Sequence, residues 1–161
     1  MSTSEKLINQ LNEVLAGNPW YGPNVYDTLA KVGFEAAYEK PPGSIHNIAG
    51  LLLHMIAWTE EVIDRLNGKT ASDPASGDWP ETGAPDEQKW QNYVDDLKLV
   101  NVNLQGVISK FPDEQWSEQI DDQRGFTPVA TYEELVQGLI QHHIYHLGQI
   151  SLLLRITQIY E

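Results

Sequence analysis

The chain contains no cysteine. That excludes disulfides, a cysteine nucleophile, thiolate zinc sites and iron–sulfur clusters. Any metal must be held by imidazole and carboxylate, and any thiol chemistry must use a thiol brought from outside. Basic residues are scarce: 10 Lys and Arg face 23 Asp and Glu, a formal charge of −13. A nucleic-acid partner calls for a basic footprint that neutralises phosphates, and no local basic patch offsets the acidity, so no nucleic-acid partner is expected. The acidity reads as a device for solubility. Long apolar runs are missing as well. None approaches the roughly 20 residues that span a bilayer; the oiliest stretches, around residues 51–53 and 152–154, are cut by His, Gln, Ser or Arg. The opening MSTSEKL is polar and lacks the apolar core of a signal peptide, which points to a cytoplasmic location and no membrane partner.

What remains, 161 residues with 41% hydrophobic content, suits one domain, 1–161, around a single core. Four long helices are expected. The first covers residues 3–15, with Leu7, Ile8, Leu11, Val14 and Leu15 at helical spacing and a capping box from Ser2 and Glu5. NPWYGP, residues 18–23, is a turn, after which Pro23 can open a short helix through about 32. The second long helix covers 44–66, with Ser44 as N-cap. Residues 69–86, rich in Pro, Gly, Ser and acid, form a long loop, either a lid over a site or a loose connection. The third helix covers 86–110. An irregular stretch, 111–130, leads to Thr131, which with Glu134 caps a fourth helix reaching about 158. Nothing alternates long enough to make a sheet. The expectation is an all-α four-helix bundle with long loops between helices two and three and between three and four.

The segment IQHHIYHLGQI, residues 140–150, carries three of the five histidines. His142 and His146 are four apart, on one helical face with Leu135, Leu139, Gln149 and Leu153. His143 lies off that face and is left out of the pair. His54 shares a side of the second helix with Gly50, Leu51, Trp58 and Glu61, away from the main stripe of Ile48, Leu52, Met55, Ile56 and Ile63. Gly50, one turn earlier, leaves room beside it. Three imidazoles from two helices can bind a divalent transition metal with positions left open for water or substrate. Zinc and nickel suit such a site best, and iron or manganese is also compatible. Taken singly, His54 reads as a satisfied core histidine and the His142–His146 pair as hydrogen-bonded or surface residues; their joint placement on interior-capable faces raises the metal reading. Glu61, two turns beyond His54, is a candidate general base or ligand support, with a solvated surface glutamate as the ordinary alternative. His46 reads as a surface or capping residue. Trp20, Tyr21, Trp58 and Trp90 read as core aromatics.

Four pieces carry a resemblance: NPWYGPNVYDTL, PPGSIHNIAGLLLHMIAW, the acidic Trp-containing loop before the third helix, and LIQHHIYHLGQISLLLR. In these the chain resembles the DinB-like, or YfiT-like, superfamily of bacterial metal-binding four-helix bundles over nearly its whole length. The resemblance implies a metal triad on His54, His142 and His146, a Gly148 that allows close helix approach, and a homodimer. It also implies kinship with thiol-dependent transferases and isomerases that activate a low-molecular-weight thiol such as bacillithiol, mycothiol or glutathione. No stretch distinguishes the thiol-using subgroups, so the small-molecule substrate stays open. Two readings follow: a metal-dependent thiol transferase or hydrolase, or a non-catalytic metal- or ligand-binding dimeric bundle. A second apolar stripe on the fourth helix, Val136, Ile140, Ile144, Leu147 and Leu154, fits either another helix of the same bundle or a partner subunit.

Overall fold

Side chains close the helix starts and so fix where the bundle begins. In the computed structural model, which describes residues 1–159, helix α1 (Thr3–Ala16) opens on the Ser2–Glu5 capping box. The last two positions of the expected domain, 160 and 161, lie outside the described residues. Two short helices follow, α2 (Val25–Leu29), capped by Asn24, and α3 (Phe34–Tyr38). Helix α4 (Ile48–Leu66) starts later than the expected 44, because Asn47 rather than Ser44 accepts the orphan Gly50 N–H, at 2.7 Å. The Ser44 hydroxyl instead donates to the His46 carbonyl. Gly50 leaves room for this cap rather than for His54: a Cβ there would stand 3.1 Å from the Asn47 Oδ1. Asp86 caps α5 (Glu87–Lys110). A 3-10 turn at Asp113–Gln115 precedes α6 (Tyr132–Ile159), which opens on reciprocal bonds between Thr131 and Glu134.

The four long helices form a ring in which α4 packs against α5 and α6, and α1 packs against the same two. Their apolar faces meet in a continuous core that includes Leu7, Leu11, Leu52, Leu104 and Ile150. The short α2 and α3 pack onto this bundle at its α1, α4, α5 and α6 sides. Among the described residues, no helix is long and apolar enough to cross a membrane. The second stripe of α6 is used within the chain: Val136, Ile140, Leu147 and Leu154 are buried, and Ile144 alone of the five is exposed.

The aromatics divide differently from expectation. Trp90 is buried, and its indole N–H donates to the Val32 carbonyl at 3.0 Å. Trp116 is also buried, packed on Phe111, and donates to Ser4. Trp20, by contrast, is 96% exposed, and Tyr21 is exposed too. The turn between α1 and α2 is tied down by Asn24, whose amide donates to the Gly17 carbonyl, and it directs these two rings outward.

Truncating Leu104, which is 0% exposed, to alanine should cost about 2–5 kcal/mol in urea or guanidinium unfolding, because a cavity is added to the lost burial. Trp20→Ala should change stability by no more than about 0.5 kcal/mol in the same measurement.

Candidate metal centre

Because α4 and α6 are neighbours, residues on their facing sides meet. The structure brings His54, His142 and His146 into one cluster. The Nε2 atom of His142 lies 3.0 Å from Nε2 of His54 and 3.0 Å from Nε2 of His146. Two imidazole nitrogens sharing an ion at about 2.0–2.1 Å stand roughly 2.9–3.4 Å apart for ordinary angles at the ion. The spacing therefore fits a shared divalent cation.

The outer nitrogens decide what the inner ones offer. His54 Nδ1 lies 2.5 Å from the Asp78 carbonyl, and His146 Nδ1 lies 2.6 Å from Gln149 Oε1. Both partners accept, so both rings carry their proton on Nδ1 and turn an Nε2 lone pair toward His142. His142 has one proton to offer and two lone pairs to meet, whereas a cation satisfies all three rings at once. The Nδ1 of His142 is buried without a hydrogen-bond partner. Burial, reinforced by His146 and His54, lowers the pKa of His142 to about 4, so its ring is neutral near pH 7. Burial likewise lowers His146, against an opposing effect of the Gln149 bond. Neutral imidazoles with a fixed tautomer are the form in which histidine binds metal.

His143 stays apart from this group. It is fully buried, and its Nε2 lies 3.2 Å from Asn101 Oδ1 while the Asn101 amide donates to the Leu97 carbonyl. Burial, reinforced by His142 and His146, lowers its pKa to about 3. It is a neutral core histidine bridging α6 to α5.

Glu61 is not the solvated surface glutamate of the ordinary alternative. It is 1% exposed, with Arg65 Nε 2.5 Å from one carboxylate oxygen and Lys69 Nζ on the other. The Ser72 backbone N–H adds a contact at 3.3 Å, and Arg65 also donates to the Ser72 carbonyl at 2.9 Å. Burial pushes the Glu61 pKa up, but the bonds from Lys69, Arg65 and Ser72 outweigh it and the carboxyl lies below its usual value. Its work is to fasten the start of the 69–86 loop to α4.

That loop supplies what the sequence did not disclose. Gly77, at φ +89°, lets the backbone turn just before Asp78. The Asp78 carbonyl binds His54, and Asp78 Oδ1 accepts from the Trp58 indole N–H at 2.7 Å. Trp79 stacks on His54, with ring centroids 3.8 Å apart and planes 9° apart. Its other face is covered by His46 at 3.6 Å, so His46 is a stacking partner rather than a helix cap. Trp58 and Tyr145 stand edge-on to the cluster. The signal for Asp78 and Trp79 was the lone aromatic in an otherwise small and polar loop. Gly148 is exposed, with nothing among the described residues within 4 Å of where a Cβ would stand, so none of their helices approaches it closely. It lines a groove of about 430 Å³ on the opposite face of α6, with Tyr21, Lys31, Ile144 and Arg155.

The family model described as "DinB family" matches residues 1–157. No curated protein matches the chain. A crystal structure of a conserved protein from Enterococcus faecalis shares the fold, with a TM-score of 0.60 at 19% identity, covering 95% of this chain and 91% of that one.

The Glu61 ion pairs give a pH dependence of definite sign. A carboxyl whose pKa is depressed on folding stabilises fully above its ordinary value of 4.5 and loses that contribution as pH falls through the folded value. Glu61→Gln should therefore be less stable than wild type in urea melts near pH 7. The gap should narrow as the pH is taken from 5 to 3.

Proposed function

The chain belongs to the DinB family, and on that premise we propose that it is a divalent-metal-binding protein with His54, His142 and His146 as ligands through Nε2. The observation that supports the reading most directly is the meeting of three Nε2 atoms, two of them 3.0 Å from the third, with two of the rings already committed at Nδ1. Zinc or nickel suits three neutral imidazoles, and iron or manganese is compatible. Three protein ligands leave one or more positions open. When bound, such an ion supplies Lewis acidity that draws down the pKa of a water or thiol taken up beside it. The function we assign is a metal-dependent enzyme of the thiol S-transferase or hydrolase type. Any thiol comes from solution as a cosubstrate, since the chain has no cysteine of its own.

The residues of the chain divide the remaining work. Asp78 and Gln149 hold the tautomers of His54 and His146. Trp58, Trp79 and Tyr145 make the surroundings of the cluster aromatic. Arg65 and Lys69 take up both Glu61 carboxylate oxygens, which weighs against a role for Glu61 as a base. Asp78 lies behind His54, on its Nδ1 side, rather than beside the Nε2 atoms. This last point favours a second reading, a metal- or ligand-binding bundle without catalysis, because neither carboxylate is placed to take a proton from an incoming nucleophile. A homodimer belongs to both readings; its support in this chain is the exposed apolar set Ile144, Tyr145 and Leu152 on α6.

Elemental analysis of the purified protein should find one divalent ion per chain. His142→Ala and His146→Ala should each lose most of it while the far-UV helical signal survives; full occupancy in both variants would remove the triad. A screen of bacillithiol, mycothiol and glutathione against monochlorobimane separates the two readings. Metal-dependent conjugation supports the transferase, and a metal-loaded protein inert toward all three, and toward ester and amide substrates, supports binding alone.

A further inference from the structure

The three imidazoles are not held alike. His146 is supported from its own helix, by Gln149 one turn on, and His142 Nδ1 has no partner. His54 alone is held by a different segment of the chain. Its ring edge meets the Asp78 carbonyl and its ring face meets Trp79. From this asymmetry we propose that Asp78–Trp79 is a strap that positions His54, so that the 69–86 loop sets the metal affinity of the site. The consequence for affinity rests on the metal reading above; the positioning of the ring does not.

The second torsion of a histidine is soft, with broad wells. A hydrogen bond at Nδ1 fixes the tautomer and the aim of Nε2 within the ring plane, but it does not resist tilting about that bond. A flat contact on the ring face does. Trp79 supplies that contact and is itself clamped, since His46 covers its far side at 3.6 Å and 6°. Asp78 is clamped in turn by the Trp58 indole N–H. The strap is fastened on both sides. Upstream, Glu61 takes Lys69 and Ser72, and the Ala71 N–H donates to the Asp121 carbonyl at 2.7 Å. Downstream, the Tyr93 hydroxyl donates to the Thr82 carbonyl at 3.2 Å. A loop free to move would not need so many anchors, and each of them lies off the ligand set. Trp79 and Asp78 are positioning residues: they act on the site through His54.

The test uses Trp79→Ala, the conservative Trp79→Phe, and Trp58→Phe, which keeps a ring but removes the N–H that holds Asp78. Long-range ¹⁵N–¹H spectra of the metal-free protein should show His54 of the wild type in a single Nδ1–H tautomer. In Trp58→Phe, which frees Asp78, the two tautomers should mix; in Trp79→Ala the tautomer should hold while the His54 ring signals broaden as the ring tilts, and Trp79→Phe should restore the wild-type pattern. Zn²⁺ affinity, read by competition with a chromophoric chelator, should fall about 10–100-fold in the first two variants and recover in Trp79→Phe. Unchanged His54 signals in the well-folded variants would overturn the proposal, as would a Zn²⁺ affinity within about twofold of wild type. A wild type that takes up no Zn²⁺ would count against the triad as a metal site, and the tautomer spectra would then decide the positioning of His54 alone.

Discussion

Everything at this site depends on the contact between α4 and α6. Were α4 flanked by other helices, His54 would face hydrocarbon and the α6 histidines would face something else. As it is, three imidazoles meet where a bundle ordinarily places leucine. Burying polar nitrogens is costly unless each finds a partner. The fold meets that cost at two of the outer nitrogens, with a backbone carbonyl and a glutamine amide. The inner nitrogens are left facing one another, an arrangement that only a shared proton or a shared cation makes favourable.

Around this centre, charge is used to hold chain rather than to bind ligand. The buried Glu61 carboxylate gathers Arg65, Lys69 and the Ser72 backbone into one knot. Removing one partner of such a knot strands a charge away from water, which is more damaging than the loss of a surface ion pair. The knot lies at the junction of α4 with the loop, so the rigidity of the helix passes into a segment whose composition alone suggests looseness. A Gly, Pro and Ser-rich stretch becomes an ordered wall because three elements hold it, not because its own residues favour one conformation.

The bundle and the triad were legible because both follow from spacing. Apolar residues every three or four positions marked the four long helices, and the interval of four between His142 and His146 put them on one face. Selecting His54 needed the further observation that it lies off the main stripe of its helix. What escaped was whatever depends on tertiary context. Ser44 and Asn47 are both good caps, and the choice between them falls to the helix start that packing selects. Glu61 has the spacing of a surface glutamate; its burial is caused by Arg65, one turn away, and by a loop that folds back over both. His143 lay off the face of His142 and His146, and the structure turns it to Asn101 on α5. Trp20 looked like core because it is large and apolar, yet the turn that carries it leaves it in water. Trp79 and His46 are 33 positions apart and lie in different irregular segments, so no periodicity could have paired them.

The stack of Trp79 on His54 also has an optical side. An indole in van der Waals contact with the His54 ring, 3.8 Å between centroids, sits within the range at which an open-shell ion held by that ring would drain its excited state. Were nickel bound there, it would darken Trp79 and, beside it, Trp58, while zinc, with its filled shell, would leave both bright. The chain thus carries a built-in lamp beside its histidine cluster, one that would distinguish classes of occupant without any label being attached.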